Sequence, residues 1–194
     1  MKTETNRQSL AVAIAESKPS SLLLDGSLVI SATLLMAISA KLALPLSFSP
    51  VPITFQPFAL LLIAFLLGSR RALAVMALYL LEGAAGLPVF SPAGPGGVAQ
   101  LLGPTGGYLF SYPAVAYIAG SIYAERKTYT SAITAGVISE TVMFLFGAAW
   151  FALLTRSSLM HAAQVTVFPF LPGDALKLAA AAGIALLWQR YRKA

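Results

Sequence analysis

Long apolar stretches separated by short polar turns make up most of this chain. Six of them approach the roughly 17–25 residues that an α-helix needs to cross the hydrocarbon core of a bilayer. The predicted helices cover about 27–44, 53–69, 72–87, 105–124, 129–153 and 172–189. The pattern predicts an all-α integral membrane protein with six transmembrane helices over 27–190, an N-terminal cytoplasmic tail over 1–26 and a basic tail over 191–194.

The composition indicates that lipid rather than water surrounds most of the protein. Of the 194 residues, 58% are hydrophobic and 10% are charged, whereas a soluble domain carries about 25% charged residues. Cysteine is absent and histidine occurs once. Disulfides, thiolate metal sites and motifs with two histidines are therefore excluded, and neither a metal nor a cofactor is expected.

The basic residues predict which side of the membrane each turn faces. Most of them precede helix one, fill the turns between helices two and three and between helices four and five, or follow helix six: Lys2, Arg7, Lys18, Arg70, Arg71, Arg126, Lys127, Arg190, Arg192 and Lys193. All of these fall on one side if the chain crosses six times, so both termini are predicted to be cytoplasmic. The net charge of +6 is explained by this topology, and a nucleic-acid partner is not expected.

The connections on the opposite side are uncharged or nearly so and rich in proline and glycine. They are PLSFSPVP, LPVFSPAGPGGVAQLLGPTGG and the segment at about 154–171. Backbone polar groups at membrane depth need partners inside the protein or in a wet cavity. We therefore expect these loops to fold over the helices and cap a pocket on the extracellular side. Pro57 and Pro113 fall within predicted helices two and four, where each is expected to bend or open the helix.

Two charged residues, Asp174 and Lys177, lie at the start of the apolar helix in FLPGDALKLAAAAGIALLW. Three residues apart on a helix, their side chains share one face. A charge at membrane depth costs at least about 2.5 kcal/mol on insertion scales, so such residues usually have a function. One interpretation is an ion pair with no further role. The other is a polar pocket for a small ligand that is zwitterionic or combines an acid with an amide.

Four uncharged residues are further candidates for this pocket. The amide of Gln56, in VPITFQPF, both donates and accepts hydrogen bonds, which suits an amide or urea group; a hydrogen bond between helices is the alternative. The aromatic side chains either wall a pocket or mark the membrane interface; they are Tyr79, Phe90 and Tyr108.

Two glutamates within predicted helices are additional candidate site residues. Glu140 falls near the middle of helix five and is expected to face the bundle interior, where it could pair with a lysine or relay a proton. Glu82 lies near the outer end of helix three, and its role stays open between structure and function. With His161, these are the candidates for chemistry in a membrane-embedded enzyme. No nucleophile–base pattern accompanies them, so the chain is predicted not to be an enzyme.

Three separated segments resemble one family of membrane proteins. VPITFQPFALLLIAFLLGSRRALAVMALYLLEGAAGLPVF, the glycine-rich loop ending LLGPTGGY, and FLPGDALK are similar, in order and spacing, to the BioY family. Members are the biotin-binding membrane subunits (S components) of energy-coupling-factor (ECF) transporters. The resemblance covers about 27–190. It implies a six-helix bundle in the cytoplasmic membrane of a prokaryotic cell, with loops that close over biotin near the extracellular face.

The resemblance also implies site residues and partners. Carried over residue by residue, Gln56, Tyr108, Asp174 and Lys177 are pocket residues. A first orientation places Lys177 near the valerate carboxylate of biotin, with Asp174 accepting a hydrogen bond from a ureido N–H. The glycine-rich loop lacks the GK[ST] ending of a Walker A motif. Transport would therefore be driven by a transmembrane coupling subunit and two cytoplasmic ATPase subunits.

Three alternatives stay open at this point. One is an S component for another vitamin, which identification of the bound ligand would separate from a biotin protein. The second is a solitary, proton-coupled biotin carrier, which Glu140 motivates. The third is a membrane-embedded enzyme acting on a lipid, which would need Glu82, Glu140 and His161 for its chemistry.

Overall fold

Helices account for most of the chain in the computed structural model, which describes residues 19–192. Eight helices and one two-stranded hairpin follow one another along this part of the chain. In order they are α1 Pro19–Lys41, β1 Ala43–Leu46, β2 Ser49–Thr54, α2 Gln56–Leu67, α3 Ser69–Ala84, α4 Gly97–Leu101, α5 Gly106–Arg126, α6 Tyr129–Thr155, α7 Leu159–Thr166 and α8 Leu171–Tyr191.

The hairpin corrects the prediction of an all-α protein. β1 and β2 pair antiparallel, from Ala43 opposite Thr54 to Leu46 opposite Ser49. A residue that precedes a proline is disfavoured in helical backbone, and the three prolines of PLSFSPVP keep this segment extended. Pairing of the two strands then satisfies backbone groups that a single extended segment would leave without partners.

Several helix boundaries differ from the predicted ones. α1 begins at Pro19, so residues 19–26 are helical rather than part of the predicted tail. α2 begins at Gln56 because the apolar residues before it belong to β2; apolar composition alone does not separate a buried strand from a helix. The other predicted helices keep their places, with ends shifted by a turn or less. Residues 1–18 and 193–194, which complete the predicted tails, lie outside the described residues.

The two prolines predicted to bend helices have different positions. Pro57 lies in the first turn of α2, where a missing N–H leaves no intrahelical hydrogen bond unmade, so the bend predicted there is wrong. Pro113 lies inside α5 and removes one donor from the helical ladder. At the other end of α2, Gly68 alone connects α2 to α3, with a φ of 80° that favours glycine.

The outer surface of the bundle is apolar. In the described part of the chain, three helices are long and apolar enough to cross a bilayer: Leu23–Lys41, Tyr129–Thr155 and Leu171–Tyr191. The apolar helix Gln56–Leu67 is shorter. More than half of the surface of Leu34, Leu153 and Leu187 on the long helices is exposed. Apolar side chains exposed along whole helices suit contact with lipid tails.

The two ends of the bundle differ in charge. The α2–α3 turn, the α5–α6 turn and the end of α8 carry Arg70, Arg71, Arg126, Lys127, Arg190 and Arg192. The hairpin, α4 and α7 lie in the connections at the other end. This is the distribution expected if the basic end faces the cytoplasm.

The most extensive helix packing is between α5 and α6. Gly107 of α5 lies against the Trp150 side chain and the Phe146 carbonyl oxygen, with no room for a Cβ. Across the same interface, Gly147 of α6 lies against the ring of Tyr108. Small residues let two helices approach closely, and here the approach fixes the position of Tyr108.

Gly107→Ala should destabilise the bundle. The added Cβ would lie 2.6 Å from the Phe146 carbonyl oxygen, so the backbone must shift, and overpacking of this kind typically costs about 1–3 kcal/mol. Thermal unfolding in detergent should show a lower Tm. Gly183→Ala in α8 is the matched control, since a Cβ there meets nothing within 4 Å and alanine favours the helix. An unchanged Tm for Gly107→Ala would contradict the close packing.

Candidate ligand-binding site

A cavity lies among the helix ends at the loop-covered end of the bundle. Its walls come from β2, the N-terminal ends of α2, α5 and α8, the middle of α6 and the loop around α4. Four of the residues predicted for a site line it: Gln56, Tyr108, Asp174 and Lys177.

Asp174 and Lys177 form an ion pair in the cavity wall at the start of α8. Lys177 Nζ donates a hydrogen bond to Asp174 Oδ1 at 2.7 Å, and the lysine and aspartate side chains are 10% and 5% exposed. Removal of either partner would leave a buried charge without compensation. The pair uses one carboxylate oxygen and one ammonium N–H. The second oxygen and the other two N–H groups are left for a ligand.

Gln56 is held in the wall by a chain of hydrogen bonds. Its Nε2 donates to the Tyr79 hydroxyl at 2.9 Å, and that hydroxyl donates to the Val89 carbonyl oxygen at 3.0 Å. The Phe90 ring packs edge-on against Tyr79, with 5.4 Å between ring centroids. Tyr79 and Phe90 were predicted as pocket residues. Neither lines the cavity: Tyr79 binds the Gln56 amide from outside the wall, and Phe90 packs against Tyr79.

Long side chains of α5 and α6 attach to the loops that cover the cavity. The Tyr108 hydroxyl donates to the Thr166 carbonyl oxygen at the end of α7. Trp150 Nε1 donates to the Gly103 carbonyl oxygen at 2.9 Å, just before α5. Tyr108 thus both lines the cavity and joins its wall to α7.

Five other polar residues in the cavity wall were not among the predicted site residues: Thr54, Ser91, Gln100, Thr105 and Tyr112. Two of them had a signal in the sequence. Tyr112 follows Tyr108 by four residues and so shares its helix face. Gln100 is the only amide side chain in the uncharged stretch from Gly83 to Ala124. The others are small hydroxyl residues in loops, and their sequence context does not distinguish them from ordinary turn residues.

The two candidate glutamates lie outside the cavity wall. The Thr33 hydroxyl donates to Glu82 Oε1 at 3.0 Å, which joins α1 to α3. Glu140 is buried in α6, and its Oε1 has no hydrogen-bond partner among the described residues. It lies close enough to α8 for the charges of Asp174 and Lys177 to act on it.

The residues considered for an enzyme do not share a site. Glu82, Glu140 and His161 lie on α3, α6 and α7, and none of them lines the cavity. His161 is exposed. Within residues 19–192, no group of three or more His, Cys, Asp or Glu side chains could hold a metal ion.

A loop-covered cavity with a few polar groups, set in an apolar helical bundle, defines a membrane protein that binds a small molecule. The sequence matches the BioY family over residues 13–194, and the chain belongs to that family.

Relatives of known name agree with this assignment. The chain is 34% identical over 154 residues to the biotin transporter BioY of Thermotoga maritima, covering 79% of this chain and 89% of that protein. It is 34% identical over 159 residues to the probable biotin transporter BioY of Pyrococcus horikoshii, covering 82% and 92%. The biotin transporter BioY of Rhodobacter capsulatus is 33% identical over 174 residues, covering 83% and 90%. These relatives are named transporters, which confirms the prediction that the chain is not an enzyme.

The fold has a close counterpart of known structure. The crystal structure of the S-component for biotin from an ECF-type ABC transporter superposes with a TM-score of 0.78, covering 91% of this chain and 95% of that one. The two sequences are 23% identical, so this likeness shows the shared fold.

Tyr79→Phe should destabilise the protein through the chain of hydrogen bonds behind Gln56. Tyr79 is fully buried, and loss of its hydroxyl leaves Gln56 Nε2 and the Val89 carbonyl oxygen without the partner that each has now. An unsatisfied buried polar group costs about 1–3 kcal/mol, so the Tm in detergent should fall. Tyr117→Phe on α5 is the control, because Tyr117 is 46% exposed. Equal Tm values for the two variants would show that the buried hydroxyl contributes nothing.

Proposed function

We propose that this protein is the biotin-binding S component of an ECF-type transporter and captures biotin, with no cofactor, for uptake. Its family, its named relatives and its cavity support this function. The observation that carries it is the buried Asp174–Lys177 pair, which lies in the wall of the same cavity as Gln56 and Tyr108. Biotin combines a polar ureido ring with an apolar thioether ring and chain, and this cavity offers both kinds of surface. Met143, Phe144 and Phe170 form part of its apolar wall.

The short distance within the pair favours one end of biotin for both residues. Lys177 Nζ and Asp174 Oδ1 are 2.7 Å apart, whereas the carboxylate and the ureido ring are at opposite ends of biotin. The ureido ring alone presents a carbonyl acceptor beside an N–H donor. Lys177 would donate to the ureido carbonyl oxygen, and the free oxygen of Asp174 would accept from the adjacent N–H. This orientation replaces the first one, in which Lys177 lay near the valerate carboxylate and Asp174 alone contacted the ureido ring.

The setting that we propose is the cytoplasmic membrane of a prokaryotic cell. The chain would cross it six times, with both termini in the cytoplasm and the cavity at the extracellular face. The basic turns at the end of the bundle opposite the cavity support this orientation. Because no Walker A motif occurs in the sequence, the energy for uptake would come from partners, namely a transmembrane coupling subunit and two ATPase subunits.

Loss of either member of the ion pair should weaken biotin binding. In Asp174→Asn the ureido N–H loses a charged acceptor, and in Lys177→Ala the aspartate is left as an unpaired buried charge. Equilibrium binding of radiolabelled biotin to the purified protein in detergent measures this. Saturable binding to the wild type, with affinity reduced at least about tenfold in both variants, is the expected result.

The exposed ion pair between Arg71 and Asp25 supplies the control. Its Nη2–Oδ1 distance is 2.8 Å, but its side chains are 49% and 47% exposed, and exposed pairs contribute little. Asp25→Asn should therefore bind biotin like the wild type. Binding that survives both cavity substitutions would make Asp174–Lys177 a structural pair. A folded wild type that binds no biotin but binds another vitamin would assign the same fold to that vitamin.

Glu140 favours a second candidate function, a solitary carrier coupled to protons. It is a buried carboxyl group with an unpartnered oxygen in the middle of α6, and intramembrane carboxyl groups of this kind commonly carry protons in transporters. The charged groups that act on it are Asp174 and Lys177 of α8.

Uptake by cells that lack ECF ATPase subunits distinguishes the two functions. A solitary carrier should take up labelled biotin there, and collapse of the pH gradient or Glu140→Gln should stop it. Glu125→Gln, at an exposed glutamate near the end of α5, is the control. No uptake without the ATPases, together with unchanged uptake by Glu140→Gln when they are present, would exclude the proton-coupled carrier.

A further inference from the structure

Gln100 is a buried amide in the loops that cover the cavity. It lies in α4, and the residue is 3% exposed. It lines the binding cavity and also a second cavity among the loops, which Pro50, Gly94 and Pro104 help to bound. Gln100 therefore lies in the partition between the binding site and the space under the outer loops.

One hydrogen bond fixes the orientation of this amide. The backbone N–H of Gly96 donates to Gln100 Oε1 at 3.1 Å. Because a backbone N–H can only donate, the amide oxygen must face it and the amide nitrogen must point elsewhere. No described residue accepts a hydrogen bond from Nε2, so Gln100 keeps two free N–H donors.

The glycine at position 94 holds the amide in place. A Cβ there would lie 2.7 Å from Gln100 Cδ, so the amide packs directly against the backbone of Gly94. A donor fixed in advance binds a ligand without the entropy cost of ordering a free side chain. The Thr105 hydroxyl lines the same cavity.

The charge of the cavity wall indicates what Gln100 would bind. The charges of Asp174 and Lys177 cancel, and no other cationic side chain lines the cavity among the described residues. If that pair binds the ureido ring, as proposed above, the carboxylate at the other end of biotin has no cation in the cavity wall, and neutral donors are the groups available to it. Gln100 Nε2 lies on a different element from the pair and has no other partner.

We propose that Gln100 is a specificity-determining residue whose amide donates a hydrogen bond to the ligand carboxylate. The inference rests on the proposed binding of biotin. It assigns to the α4 loop the recognition of the acid end and leaves the ureido end to α8. Through Gly96, the same amide joins the bound carboxylate to the loop backbone.

The test compares the binding of biotin and of its neutral methyl ester by the wild type, Gln100→Ala and Gln100→Glu. Gln100→Ala should weaken the binding of biotin at least about tenfold, the usual effect of losing a hydrogen bond to a charged group. Gln100→Glu should weaken it further, because two carboxylates would face each other. The additional loss should disappear with the methyl ester, which carries no charge at that end.

Two further variants separate a role in binding from a role in folding. Gly94→Ala pushes the amide aside but leaves it present, so it should weaken binding in the wild type and have no further effect in Gln100→Ala. Gln164→Ala, at an exposed glutamine of α7, should bind biotin normally. Unfolding in detergent identifies variants that bind weakly only because they are unfolded.

Each outcome bears on one of the two proposals. Tight biotin binding by folded Gln100→Ala would overturn the assignment of Gln100 and leave the proposed function standing. An equal loss of biotin and of methyl ester in Gln100→Glu would overturn the contact with the carboxylate. Failure of the folded wild type to bind biotin at all would overturn the proposed function and, with it, this inference.

Discussion

The ion pair buried at the start of α8 determines how the rest of this end of the molecule must be arranged. Two charges removed from water are tolerated only when they compensate each other and their remaining hydrogen-bonding groups can be satisfied. Asp174 and Lys177 achieve the first condition by their spacing on one helix face. The second requires either water or a polar ligand in the cavity beside them. The bundle therefore needs a cover that excludes lipid from this cavity without filling it.

The cover is held by donors from the helices rather than by charges of its own. Lys41 Nζ donates to the Phe90 carbonyl oxygen at 2.9 Å. The Tyr79 hydroxyl, Trp150 Nε1 and the Tyr108 hydroxyl donate to three other backbone carbonyls before α5 and at the end of α7. Each bond fixes loop backbone to a rigid helix and satisfies a carbonyl that would otherwise lack a partner. An uncharged loop rich in proline and glycine can in this way keep one defined shape.

The sequence was most informative where a single physical rule dominates. Apolar length located the long helices, and the cost of burying charge identified Asp174 and Lys177. Apolar length failed to predict β2. The segment VPIT is apolar enough for either a strand or the start of a helix, and only pairing with β1 makes it a strand. Tyr79 and Phe90 were chosen for their aromatic character, but tertiary packing places them behind Gln56. Gln100 was not identified, since its position in the cavity wall depends on a loop conformation that local patterns do not specify.

The opposite charges of Asp174 and Lys177 cancel, so the net charge of the loaded cavity is that of its ligand. A neutral cavity that holds anionic biotin carries one net negative charge. Turning the loaded cavity toward the cytoplasm would move that charge against an inside-negative membrane potential, at about 2.3 kcal/mol per 100 mV. Inward movement of the ligand would therefore be electrogenic and uphill for the bundle alone. If the protein transports biotin as proposed, ATP hydrolysis by partner subunits would drive this step, or a proton that travels with the ligand would cancel the charge.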